Sequence, residues 1–144
     1  MTGRTLSADD HAEIQQLYAR YAMAVDLGDG DARAATFVPE GVFLSRLSDT
    51  PDDVETMRRR TNELGNRGTR HLQYNLVVTP TDEGAHGLVC LLYLQAGGEA
   101  APIAATMGLY EDRLVRTPQG WRFKSRQVWG DHNPASPYRA TAIL

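Results

Sequence analysis

The apolar residues change their period at about residue 70, and this switch limits what the chain can fold into more than any other feature. Upstream, Ile14, Leu17, Tyr18, Tyr21, Ala22 and Val25 recur at the i, i+3, i+4, i+7 spacing of one buried helix face. Downstream, short apolar or alternating runs are bounded by turn formers, the pattern of strands. The stretch Arg70-His71-Leu72-Gln73-Tyr74-Asn75-Leu76-Val77-Val78 stands at the junction and opens the first long strand. A chain of 144 residues, 42% apolar and 23% charged, has material for one sizeable core. Helices first and a curled antiparallel sheet second predict a single α+β domain.

Ser7 or Asp9 can cap a first helix that runs to about Leu27, where Gly28 stops it. Asp29 or Asp31 starts a second helix, Ala32 to about Val38, followed by a short strand at Val42-Phe43-Leu44. Pro51, preceded by the cap candidates Asp49 and Thr50, opens a third helix carrying Val54, Met57 and Leu64. Strands are predicted at Leu72–Thr79, Gly87–Gln95, Pro102–Arg116 and Trp121–Trp129. Residues 1–6 and 131–144 read as tails, flexible or covering a pocket. In the last strand, alternation puts Trp121, Phe123, Ser125, Gln127 and Trp129 on the inner face and Arg122, Lys124 and Arg126 on the outer. The inward row either lines a cavity or is hydrogen-bonded within an ordinary core.

Charge and cysteine content exclude several classes. A formal charge of −3 gives no electrostatic reason to bind nucleic acid, and Arg58-Arg59-Arg60 reads as a solvated helix face. No apolar run approaches the ~20 residues of a membrane span. The first ten residues lack the apolar core of a secretion signal, so cytoplasmic residence is expected. The single cysteine, Cys90, sits in an apolar run and reads as a buried, inert thiol.

Two residues stand out as chemistry-bearing. Asp26 places a carboxylate in the last turn of the first helix, against the negative end of the dipole and beside the apolar stripe. It needs a partner, either the backbone amides of the Gly28–Gly30 turn or a side chain. His71 opens an apolar strand, whereas His11, His86 and His132 fall in a helix start, a turn and a tail. Facing inward, it would share its face with Gln73, Asn75 and Val77. Paired, the carboxylate would fix the imidazole tautomer and leave the second nitrogen as a base. Imidazole as a group titrates near ~6.5, suited to proton abstraction at neutral pH. Tyr18 or Tyr21 could donate to a developing oxyanion, or be core with a wet hydroxyl. There is no phosphate loop, metal-binding histidine pair or serine nucleophile elbow, and neither cofactor nor metal is expected.

At these residues the chain resembles a known family. The run from Asp10 to Asp29 resembles the first helix of the SnoaL-like branch of the nuclear transport factor 2-like superfamily. Arg70-His71 with Asn75, the Gly108–Leu114 segment and Gly120–Phe123 continue the likeness in order. The resemblance implies a cone in which a strongly curved sheet wraps helices around a deep apolar pocket, commonly in a homodimer. It is nearest the scytalone dehydratase and hexachlorocyclohexane dehydrochlorinase pattern, where an aspartate ending the first helix orients a histidine that abstracts a proton. Asp26 and His71 match those positions. The likeness further places Tyr21, Met23, Phe43, Cys90, Thr106 and Ser125 around the pocket, with Asn75 and Trp129 on the same strand faces. Val25 stands where the dehydratase type has a tyrosine, and no second histidine is found. Ser125 stands where the dehydrochlorinase type has a cation.

The expected function is that of a cofactor-independent lyase, dehydratase-like, or an isomerase acting on a small, mainly apolar molecule. A non-catalytic binding module of the same fold and a hydrolase or polyketide-cyclase-type enzyme remain open alternatives. A homodimer is expected through the outer sheet face, with Tyr93, Arg122, Lys124 and Arg126 on it. Nucleic-acid and membrane partners are not expected.

Overall fold

A computed structural model describes residues 5–45 and 48–138 of the chain. Helix α1 spans Ala8–Leu27 and opens with a capping box: Ser7 Oγ accepts from the Asp10 amide, and Asp10 accepts from the Ser7 amide. It ends at Gly28, whose φ of 75° is the left-handed conformation a helix stop requires. That glycine also lies against Gly65, where a Cβ would come within 2.4 Å of backbone carbon. Helix α2 is Gly30–Ala34, shorter and earlier than predicted, because Asp29 rather than Asp31 caps it. The residues from Phe37 extend into strand β1, Phe37–Leu44. A two-residue strand β2, Asp52–Asp53, precedes helix α3, Val54–Leu64, which Asp53 caps in place of the expected Asp49 or Thr50.

Strands β3 (Thr69–Pro80), β4 (Ala85–Gly97), β5 (Ala100–Thr117) and β6 (Gly120–Gly130) form an antiparallel meander. β1 joins β6 in parallel, giving a six-stranded sheet of order β2-β1-β6-β5-β4-β3. The mixed α+β architecture, an open curved sheet with helices from the N-terminal half, is the one the periodicity predicts. Among the described residues no helix is long and apolar enough to cross a membrane.

The core lies between the helices and the concave face. Ile14, Leu17, Tyr18 and Tyr21 of α1 meet Met57, Val89, Leu91, Tyr110, Leu114, Trp121 and Phe123. Burying each large side chain stabilises the fold by roughly 1.5–3 kcal/mol. Tyr21 meets Phe123 edge-on at 5.8 Å and Tyr110 at 6.1 Å, so aromatic rings fill much of the cone that the sequence resemblance leaves for a deep pocket. Of the two tails, residues 1–4 and 139–144 lie outside the described residues. Leu6 packs on the core, and residues 131–138 form turns.

One local event reverses the expected facing of β6. Arg113 pairs with Ser125 but Leu114 pairs with Phe123, so Lys124 is an extra residue, a bulge. Beyond it, Arg126 and Val128 point inward and Ser125, Gln127 and Trp129 point out. The assignment of Arg126 to the outer face, and of Ser125 and Trp129 to the inner, is therefore corrected. Tyr93 is also inward, its ring tilted against that of His71 at 4.7 Å between ring centres. The outer face instead carries exposed Leu72, Tyr74, Val77 and Met107.

Candidate active site

Asp26 and His71 meet. Asp26 Oδ1 lies 2.6 Å from His71 Nδ1, while Oδ2 accepts the His71 backbone N–H at 2.9 Å. Thr69 Oγ1 adds a donor at 3.3 Å. Three donors from the opening of β3 thus offset the cost of a carboxylate that is 4% exposed at the wrong end of a helix. The Gly28–Gly30 turn is not its partner: the amides of Gly28 and Asp29 go to α1 carbonyls, and that of Gly30 goes to Asn62. An ionised carboxylate accepts only, so in the neutral ring Nδ1 carries the proton and Nε2 the lone pair. No described residue bonds Nε2, and the ring is 16% exposed.

The dyad lies in a groove of 520 Å³ between α1 and β3, bordered by Tyr18, Ala22, Met23, Gln73, Leu76 and Val89. Of the expected substrate-binding residues, Met23 and Asn75 line it. Asn75 has a φ of 58° within an irregularity of the β3–β4 register. Tyr21 is buried in the core, where its hydroxyl accepts from Arg33. Phe43 and Thr106 are inward and half-buried but lie away from this groove; the Arg33 guanidinium stacks over the Phe43 ring at 4.9 Å. Cys90 is on the opposite face, since its neighbours Val89 and Leu91 are the buried ones, so the buried-thiol reading is corrected to a half-buried residue of the outer face. Ser125 and Trp129 share that outer face; the Trp129 indole donates to Glu111 at 2.9 Å, and His86 sits 3.2 Å from the same carboxylate.

A second polar group was missed. Arg126, fully buried, donates from Nε to Asp112 Oδ1 at 2.8 Å and from Nη2 to Oδ2 at 3.0 Å. Its guanidinium is enclosed by the rings of Tyr18, Tyr21, Tyr110 and Phe123 at 4.0–4.8 Å, whose negative faces compensate an Nη1 with no acceptor among the described residues. Burial opposes the charge, but the Asp112 carboxylate outweighs it and pushes the Arg126 pKa up. Tyr18 donates to Asp112 Oδ2 at 2.6 Å; burial, then the neighbouring carboxylate, pushes its phenol up. The Tyr18 hydrogen is thus committed to Asp112, and Tyr21, buried in the core, does not line the groove. The signal lay in the Gly108–Leu114 segment, where alternation puts Asp112 in a row with Tyr110 and Leu114. A carboxylate in that row requires a cation inside. Arg126 fills that need, and the cation absent at Ser125 enters one residue later. Among the described residues no group of three or more His, Cys, Asp or Glu side chains could hold a metal ion.

The six-stranded curved sheet closed by helices is a cystatin-like α+β fold. Residues 6–127 match the family model of the SnoaL-like domain, and the chain belongs to that family. Among solved structures it is similar to one from Catenulispora acidiphila in complex with S-DNPA, at 30% identity over 87% of this chain and 96% of that one, TM-score 0.73. An NTF2-like protein with a cystatin-like fold from Novosphingobium aromaticivorans is 21% identical over 88% and 85%, TM-score 0.77. A protein of unknown function from Nostoc punctiforme, also of cystatin-like fold, is 23% identical over 93% and 98%, TM-score 0.76. Comparison with curated proteins finds no match.

Proposed function

We propose that this protein is a cofactor-independent lyase or isomerase in which His71 is the general base and Asp26 orients it, acting on a small, mainly apolar substrate. One observation carries the reading: Nδ1 is held at 2.6 Å by a buried carboxylate while Nε2 is uncommitted at a groove with apolar walls. The base removes a proton from carbon, and Asp26 stabilises the imidazolium that results. In elimination the leaving group departs with its bonding pair, and the imidazolium can return the proton to it. In isomerisation the proton returns to a different carbon.

The test is α-proton exchange into deuterated water, screened over ketones and β-hydroxy carbonyl compounds. His71→Ala should lower exchange by about 10²–10⁴-fold while the fold is retained. Exchange unchanged in a folded His71→Ala protein would leave a binding module instead. The proposed assembly is a homodimer through the outer face bearing Leu72, Tyr74, Val77 and Met107. Light scattering at micromolar concentration should give twice the chain mass, and a monomer mass would remove the proposal.

A further inference from the structure

We infer that Gln73 supplies the hydrogen bond to substrate oxygen, so that the substrate class is a carbonyl compound enolised by His71; this rests on the dyad acting as a base. Gln73 lies two residues beyond His71 in β3, on the same inward face, roughly 7 Å along the strand. Both line the groove. Its amide has one orientation only. Oε1 accepts from Arg126 Nη2 at 2.9 Å, and Arg126 can only donate. Nε2 donates to the Tyr18 carbonyl at 3.1 Å, which can only accept. The oxygen therefore faces the buried guanidinium and the nitrogen faces α1, leaving a second Nε2 hydrogen committed to nothing among the described residues.

Competing donors are occupied or unfixed. Tyr18 donates to Asp112 and Thr69 to Asp26, Tyr21 is buried in the core and does not line the groove, and the exposed side chain of Arg70 donates to the Thr69 carbonyl. Asn75 stands on the exposed lip, and no described residue bonds its side-chain amide. The chain Asp112–Arg126–Gln73 thus holds one neutral N–H in place before substrate arrives, the preorganisation that stabilises developing charge. When His71 Nε2 takes the α-proton, the C–H pair becomes the enolate C=C bond and negative charge collects on oxygen. Gln73 shares its hydrogen with that oxygen without transferring it. The same arrangement offers a haloalkane or a plain alkene nothing to bond.

The experiment uses 4-nitrophenol in its ionised form, a planar oxyanion standing in for the enolate, with nitrobenzene as the control that lacks this oxygen. Binding to the full chain is followed by absorbance and calorimetry. Wild type should bind the phenolate in preference to nitrobenzene. Gln73→Glu keeps an acceptor for Arg126 and loses the donor; it should weaken phenolate binding by about 10–100-fold and leave nitrobenzene unchanged. Gln73→Met should do the same, and its circular dichroism and urea midpoint report whether it folds. His71→Ala should keep the phenolate preference while losing exchange, so a failed dyad and a failed Gln73 assignment give different results. The assignment is overturned if folded Gln73→Glu binds the phenolate as tightly as wild type. It is equally overturned if wild type shows no preference for the phenolate.

Discussion

The Tyr18 hydroxyl reaches Asp112 by occupying the space above Gly87, so closely that a Cβ on Gly87 would come within 2.1 Å of the phenol oxygen. A residue of α1, a strand of the sheet and the partner of Arg126 are thereby locked by the absence of one methyl group. Gly87→Ala must displace Tyr18 or bend β4. A loss of about 1–3 kcal/mol is expected, read as a lower urea midpoint with an unchanged slope.

The Arg126–Asp112 pair is buried on both sides, so removing one partner leaves an uncompensated charge. Arg126→Met should cost about 3–5 kcal/mol in chemical denaturation. The double variant Arg126→Met/Asp112→Leu should recover part of that loss, because it removes both desolvation penalties. A double variant no more stable than the single one would refute this account.

Asp26→Asn preserves size but not charge, and an amide can present a donor to Nδ1 and favour the other tautomer. Proton exchange should fall by about 10²–10⁴-fold in this variant with secondary structure intact. Thr69→Val removes the weakest of the three donors to Asp26, at 3.3 Å, and should change exchange by less than about 10-fold.

Strong acid should loosen the start of α1. The backbone amide of Ser7, then the Trp121 indole, hold the Asp10 carboxyl down, from the usual 3.8 to about 2. A folded-state pKa below the unfolded one contributes stability that is fully present above the unfolded value. That contribution is lost as pH falls from about 4 to about 2. Urea midpoints should therefore fall over this window in wild type, and the Asp10-dependent part of the fall should be absent in Asp10→Asn. A parallel decline in both proteins would contradict the assignment.

Much of the frame was legible from residue order. The i, i+3, i+4 apolar face placed α1 between one of two cap candidates, Ser7, and its expected end near Leu27, and turn formers bracketed the four long strands to within a few positions. Asp26 and His71 were legible as candidate partners because each residue was costly where it stood: a carboxylate at a helix C-terminus, an imidazole opening an apolar strand. Two unsatisfied polar groups in one small core have few partners besides each other.

Facing within β6 was not legible. Strict alternation assigns every side chain after Phe123 to one face or the other, and a single extra residue at Lys124 inverts them all. Whether such a residue is extruded depends on the partner strand β5, where Asp112 lies inward and without Arg126 would be an unpaired buried charge. The sequence alone determined the first helix, the four long strands and their order, and marked Asp26 and His71 as polar groups in need of partners, because those follow from local periodicity and from the local cost of a misplaced charge. Only the tertiary structure decided that Arg126 lies within and Ser125 without, and that Gln73 is held between guanidinium and helix. Strand register is settled by contacts between residues far apart in the chain.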